Sequence, residues 1–315
     1  MPATYAHFLI SDQALARFSA VADLDRTLRG AVLRLSHFAH LGSVSPDYPY
    51  LDLKQPQQKL WADHMHYDQT GELLRTMVQG LAARQSEGRD RPDVIIPFCW
   101  TLGYLSHVTA DLVVHPVVRN IVGDYLGHEA EHRECEMLQD TYIYHKIRNA
   151  AEIRHSELLG ILQNCADPAN PTRVHSALRT LWGQALQTQF PDDYARIPPV
   201  IDEWDDWYQE GMTIAGRPRF LGRLADPEHK FTYRLTSEIT AGEREKFIAR
   251  LPFPGGTSGT YDELFAKAVT HVTDRWIDLA RAVSAGTPGA FLASLSNCNL
   301  DTGMDNQTGR LACWT

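Results

Sequence analysis

The chain has 315 residues, with 30 Lys and Arg against 39 Asp and Glu and a formal net charge of −9. Hydrophobic residues make up 43% and charged residues 22%, an ordinary globular balance that excludes a disordered, fibrous or disulfide-stapled chain. The acidic balance gives no electrostatic footprint for duplex nucleic acid, and apolar runs such as residues 94–100 fall short of the ~18 residues that cross a bilayer.

In chain order, the N-terminus shows neither the basic nor the apolar region of a signal peptide. Five cysteines without CxxC pairing read as free thiols, and the expected location is cytoplasmic. Apolar periodicity predicts helices over 13–37, 58–83, 94–122, 129–148, 174–189, 201–208, 242–249 and 261–285. Ser11-Asp12 and Asp93 are candidate N-caps, and Thr240 with Glu243 has capping-box spacing. Residues 164–171 form a turn-rich connector and 253–259 a glycine loop. Strand-like alternation is absent, so the expected fold is all-α, a multi-helix bundle forming one domain over 1–315. The polar tail after Leu295 reads as a surface wrap. Its Asp301, Gly303 and Asp305 lack the ligand pattern of an EF-hand calcium loop.

Of 14 histidines, ten lie in the first 145 residues: His7, His37, His40, His64, His66, His107, His115, His128, His132 and His145. Histidine is the commonest metal ligand, so the chemistry is expected in residues 1–150, with 172–315 a helical covering half and tail. The strongest pattern is His107-x3-Asp111-x3-His115. On a helix these residues share one side, about 6 Å apart per step, with the apolar Tyr104, Val108 and Leu112. Buried imidazoles and a carboxylate need partners. Divalent metals supply them; so does a hydrogen-bonded core in which Asp111 accepts from both histidines.

His132-x3-Glu136 repeats the spacing on the next predicted helix, either as nitrogen and oxygen ligands or as part of a charged solvated face. His64 and His66 lie about 200° apart on a helix and cannot face one site. Steps from His66 reach Leu73, Met77 and Leu81, whereas steps from His64 reach Asp68, Glu72 and Arg75, which makes His66 the inward candidate. The stiff loop at 42–50 presents Asp47 beside Tyr48 and Tyr50. It is either a plain turn or the carrier of a general base beside metal-bound water.

His7, the Pro46-Asp47-Tyr48 loop, His66, His107-x3-Asp111, His115 and His132-x3-Glu136 occur in an order that resembles the zinc-dependent phospholipases C, relatives of the P1/S1 nucleases. The resemblance covers roughly residues 1–150. It implies an all-α bundle around a buried multi-zinc cluster of two or three Zn2+ ions that hydrolyses phosphoric esters. By that resemblance Asp111 bridges two metals, with Asp47, His66 and His107 on one and His7 on the other. His115, His132 and Glu136 hold a third. Asp47 doubles as the catalytic carboxylate, and Tyr48 matches the aromatic that follows it in the relatives' choline pocket. Those relatives also bind zinc through an N-terminal Trp. Here the chain opens Met1-Pro2, so that position is completed differently, weaker or empty, and the Asp111-to-His115 gap is shorter than theirs.

The expected partner is a small-molecule or lipid phosphoester, with no duplex nucleic acid and no transmembrane segment. The oligomeric state is open. Three alternatives stand beside this reading: a nuclease or nucleotidase on the same scaffold, a natural-product tailoring enzyme, and a non-enzymatic helical protein with structural histidines.

Overall fold

The computed structural model describes residues 4–52, 54–85, 91–216 and 233–314. Its helices are α1 Thr4–Ser19, α2 Arg26–Arg34, α3 Ser36–Val44, α4 Lys59–Asp63, α5 Thr70–Gln85, α6 Pro92–Val122, α7 Glu129–Arg148, α8 His155–Gln163, α9 Ser176–Gln189, α10 Pro191–Arg196, α11 Ile201–Ala215, α12 Ala241–Arg244, α13 Tyr261–Ala285 and α14 Gly289–Ala293. Among the described residues, strands occur only as three short antiparallel hairpins: β1 Ala166–Asp167 with β2 Asn170–Val174, β3 Leu251–Pro252 with β4 Ser258–Gly259, and β5 Cys298–Asn299 with β6 Met304–Asp305. The fold is all-α. No helix among the described residues is long and apolar enough to cross a membrane.

Several ends follow local chemistry. Thr260 and Glu263 form a reciprocal capping box at the start of α13, which stops at Gly286 in the left-handed region. The Thr240–Glu243 box starts α12 as its spacing predicts. Other ends differ from expectation. The helix expected at 13–37 is three helices, and Ser11-Asp12 lie inside α1 instead of capping it. The reason is tertiary: the Asp140 carboxylate, brought in by α7, accepts from the Tyr5 and Ala6 amides at 2.9 and 2.6 Å and so caps α1 from 135 residues away. Asp93 is also not the cap of its helix, because Arg91 holds that place with Pro92 at the first position.

Helix α6 is the axis of the molecule, contacted by α1, α3, α5, α7, α9 and α13. Its crossing with α3 is unusually close. A Cβ on Gly42 would lie 2.1 Å from the Trp100 carbonyl oxygen, and one on Gly103 would lie 1.9 Å from that of Ala39. Only paired glycines permit this approach, and it lays the end of α3 against the His107 stripe. Behind this crossing runs a line of buried rings, with Trp100 5.2 Å from Trp182 and Trp182 5.5 Å from Trp204 by ring centroids. These rings tie α6 to α9 and α11, so the second half of the chain packs directly behind the histidine-bearing helices.

Candidate metal centre

His107, Asp111 and His115 occupy successive turns of α6, and all three are buried. The 3₁₀ turn Ser45–Leu51 carries Asp47, and α1 carries His7. The expected helix at 58–83 is interrupted by a π-helical turn at His64–Asp68. The extra residue per turn breaks the backbone ladder, and the Ala62 carbonyl takes the His66 Nδ1–H at 2.7 Å.

These elements bring two trios together. Ligand atoms of His7, His107 and Asp111 lie within 4.8 Å of one another, as do those of Asp47, His66 and His107. His7 Nε2 is 3.1 Å from Asp111 Oδ1, His107 Nε2 3.3 Å from Asp111 Oδ2, and His66 Nε2 3.3 Å from Asp47 Oδ1. The His7 and His107 rings stack with centroids 4.3 Å apart.

The tautomers follow from what lies behind each ring. His107 Nδ1–H donates to the Ser43 carbonyl at 3.0 Å, at the end of α3, and His66 Nδ1–H donates to Ala62. Both rings therefore aim an unprotonated Nε2 inward, and those two nitrogens are 3.2 Å apart. Two lone pairs at that distance repel unless a cation or proton lies between them. Asp47 Oδ1, Asp111 Oδ2 and His7 Nδ1 are also buried without a hydrogen-bond partner. Orphaned lone pairs converging from neutral imidazoles and carboxylates are a donor set that fits zinc, with carbonyl partners behind the rings as in known zinc sites.

Burial raises the carboxyls, but the imidazoles outweigh it. When protonated, His107, His66 and His7 hold Asp47 below the usual carboxylate range, and His115, His107 and His7 hold Asp111 well below it. Cations replacing the imidazole protons would hold the two carboxylates ionised in the same way.

The outer group is looser. His115 Nε2 is 3.5 Å from Asp111 Oδ1 and 3.6 Å from Glu136 Oε1, while its Nδ1–H donates to the Leu300 carbonyl at 3.0 Å. His132 Nε2–H donates to the Gly123 carbonyl at 2.8 Å, which leaves its Nδ1 as the available lone pair. Burial, reinforced by the Asp111 and Asp301 charges, pushes the Glu136 carboxyl well up. A cleft lined by Tyr50, His66, Tyr67, His115, Tyr125, His132, Glu136 and Asp301 opens onto this group.

Tyr48 is completely buried, its ring 4.4 Å from Tyr208 and 6.4 Å from Trp182 by centroid, and it does not line the cleft. The aromatic from that loop that does is Tyr50. His64 is buried too, although its polar helical steps placed it outward. It lies between Asp68 and Asp193 at 2.6 and 2.8 Å, stacked on Phe190, and belongs to neither trio. Met1 and Pro2 fall outside the described residues.

The sequence reading missed Asp301 and the Leu300 carbonyl, which reach the site from the C-terminal tail. The local signal was a pair of carboxylates, Asp301 and Asp305, in a polar turn, and nothing in the spacing tied either to His115.

An all-α scaffold whose buried His and Asp clusters fit zinc defines the class. The family described as zinc dependent phospholipase C matches over residues 6–191, and the chain belongs to it. Among curated proteins and among solved structures, none matches.

Proposed function

We propose that the chain hydrolyses phosphoric esters in the manner of a phospholipase C, using two or three zinc ions held by His7, Asp47, His66, His107, Asp111, His115, His132 and Glu136. The observation that carries this reading is the facing pair of unprotonated nitrogens on His66 and His107, flanked by unpartnered oxygens of Asp47 and Asp111. Family membership supplies the reaction class. Bound zinc contributes positive charge that polarises phosphoryl oxygens and makes water acidic near neutral pH.

The chain's own groups do the rest. Asp47, with Oδ1 unpartnered, orients the attacking water and takes its proton. Ser43, Ala62 and Leu300 hold His107, His66 and His115 in one tautomer, so the ligand geometry is fixed before substrate arrives. Tyr50, Tyr67 and Tyr125 give the cleft aromatic walls, and its described lining contains no Lys or Arg. That lining suits a single ester headgroup better than a polyanionic nucleic-acid strand, which would need a basic track.

Metal analysis of the purified protein comes first: less than about one tightly held zinc per chain sinks the reading. Asp47→Asn is expected to lower turnover of a chromogenic phosphodiester about 10²–10⁴-fold while most of the zinc stays bound. Unchanged turnover removes Asp47 from its role.

A further inference from the structure

The C-terminal tail is built into the molecule as a strap across the outer group. Asn297 Oδ1 caps α5 by accepting from the Gly71 and Glu72 amides at 3.0 and 3.1 Å, and the Cys298 amide donates to Thr70 Oγ1 at 2.8 Å. The Leu300 amide donates to the His66 carbonyl at 2.9 Å. Gly303, at φ 69°, seats against the Pro116 ring of α6, where a Cβ would come within 2.4 Å of Pro116 Cγ. Trp314 Nε1–H donates to the Val113 carbonyl at 2.9 Å.

The strap delivers two groups to His115. The Leu300 carbonyl accepts from its Nδ1–H, and Asp301 Oδ1 stands 3.9 Å from the same nitrogen. Asp301 Oδ2 accepts from the Tyr67 hydroxyl at 2.8 Å, which fixes the carboxylate at the cleft wall with His132 and Glu136. Charge makes the role specific. His115, His132 and Glu136 offer a divalent ion one negative charge of their own, Asp111 at 3.5 Å from His115 is shared with the inner group, and Glu136 and Asp301 are the carboxylates that line the cleft among the described residues. The strap residues themselves, 297–314, lie outside the segment that matches the family, residues 6–191, and their partners lie inside it.

We propose that Asp301 is a positioning residue for an outer zinc. It supplies a compensating charge that the inner group does not share and, from 3.9 Å on the Nδ1 side of His115, raises that ligand's basicity. The proposal rests on the zinc-hydrolase reading above. Carboxylate partners behind a metal-bound imidazole change metal affinity about 10–100-fold when removed.

The test is zinc content by mass spectrometry together with a chelator titration of the loaded, full-length protein, on wild type, Asp301→Asn and Asp301→Glu. Asp301→Asn is expected to release its weakest zinc at about 10–100-fold lower chelator strength, with the remaining zinc and the metal-free melting temperature unchanged. Asp301→Glu is expected to recover most of the loss. Identical titrations for wild type and Asp301→Asn overturn the proposal. So does equal weakening of every ion, or a drop in the metal-free melting temperature with zinc affinity unmoved. A wild type that holds no zinc overturns the hydrolase reading as well. A wild type that holds its zinc beside an unaltered Asp301→Asn overturns this proposal alone.

Discussion

The inner cluster around Asp111 and the outer group around His115 share one helix but are held in different ways. His7, Asp47, His66, His107 and Asp111 are all nearly inaccessible, and two trios of their side-chain N and O atoms lie within 4.8 Å of one another. They hang on the glycine-paired crossing of α3 and α6 and on a carbonyl at the end of α3. The outer group faces an open cleft, its contacts are 3.5 Å and longer, and one side of it is a strap from the far end of the chain. Rigid helices set the first group to coordination spacing. The second depends on a segment from the far end of the chain, held by buried Leu300 and by hydrogen bonds to α5 and α6. Inner ions should therefore be bound tightly and outer ions more weakly, although both groups use the same ligand chemistry.

Removing the carboxylate shared by both groups should break the comparison outright. Asp111→Asn is expected to lose more than one zinc and to lower phosphodiester turnover by more than the Asp47 substitution, beyond about 10⁴-fold. Full zinc content in this variant would mean that Asp111 does not join the sites.

Gly103→Ala attacks only the crossing. With 1.9 Å between the new Cβ and the Ala39 carbonyl oxygen, α3 and α6 must separate, at a cost of about 3 kcal/mol or more. Inner zinc should weaken more than outer zinc, because the Ser43 carbonyl moves with α3. A melting temperature within a degree of wild type would show that the crossing tolerates a methyl group.

A smaller effect separates the two groups by pH. Helix α1, which carries His7, is anchored by Tyr5, whose hydroxyl is 2.7 Å from His155 Nδ1. Burial pushes His155 down to about 4, and it pushes His40, packed edge-on against Phe8, down to about 4 as well. The unfolded chain binds these protons near 6.5, so between 6.5 and about 4 it binds more protons than the folded chain. Stability is fully present above 6.5 and is lost as pH falls toward 4, on the order of 2–3 kcal/mol per site. In melting scans of the metal-free protein, His155→Gln should flatten part of that slope. A slope identical to wild type would exclude His155 as a contributor.

Legibility in the sequence followed the range of the interaction. The spacing His107-x3-Asp111-x3-His115 put three groups on one buried stripe because helical geometry is local, and α6 displays it. His132 and Glu136 on α7 were found in the same way. His7 and Asp47 carry no periodic signature, and only their order in a family pattern singled them out. His64 shows the limit from the other side, since its helical steps pointed outward until the π turn and α10 closed over it. Tyr48 and Tyr50 alternate along one turn, and a loop reading could not say which of them the core would take.

What the sequence by itself determined is the all-α class, most helix spans, one capping box and the i, i+4 spacing of His107, Asp111 and His115 and of His132 and Glu136. These depend on contacts within a few residues and on the 3.6-residue period. Tertiary structure decided what accepts from the first turn of α1, because the Tyr5 and Ala6 amides donate to Asp140. It also decided which lone pairs face inward, because Ser43, Leu300 and Gly123 accept the opposing ring protons of His107, His115 and His132. Asp301 belongs to the site for the same reason. Each of these outcomes turns on a hydrogen bond between residues brought together only when the helices pack, and a buried polar group takes whichever partner the packing supplies.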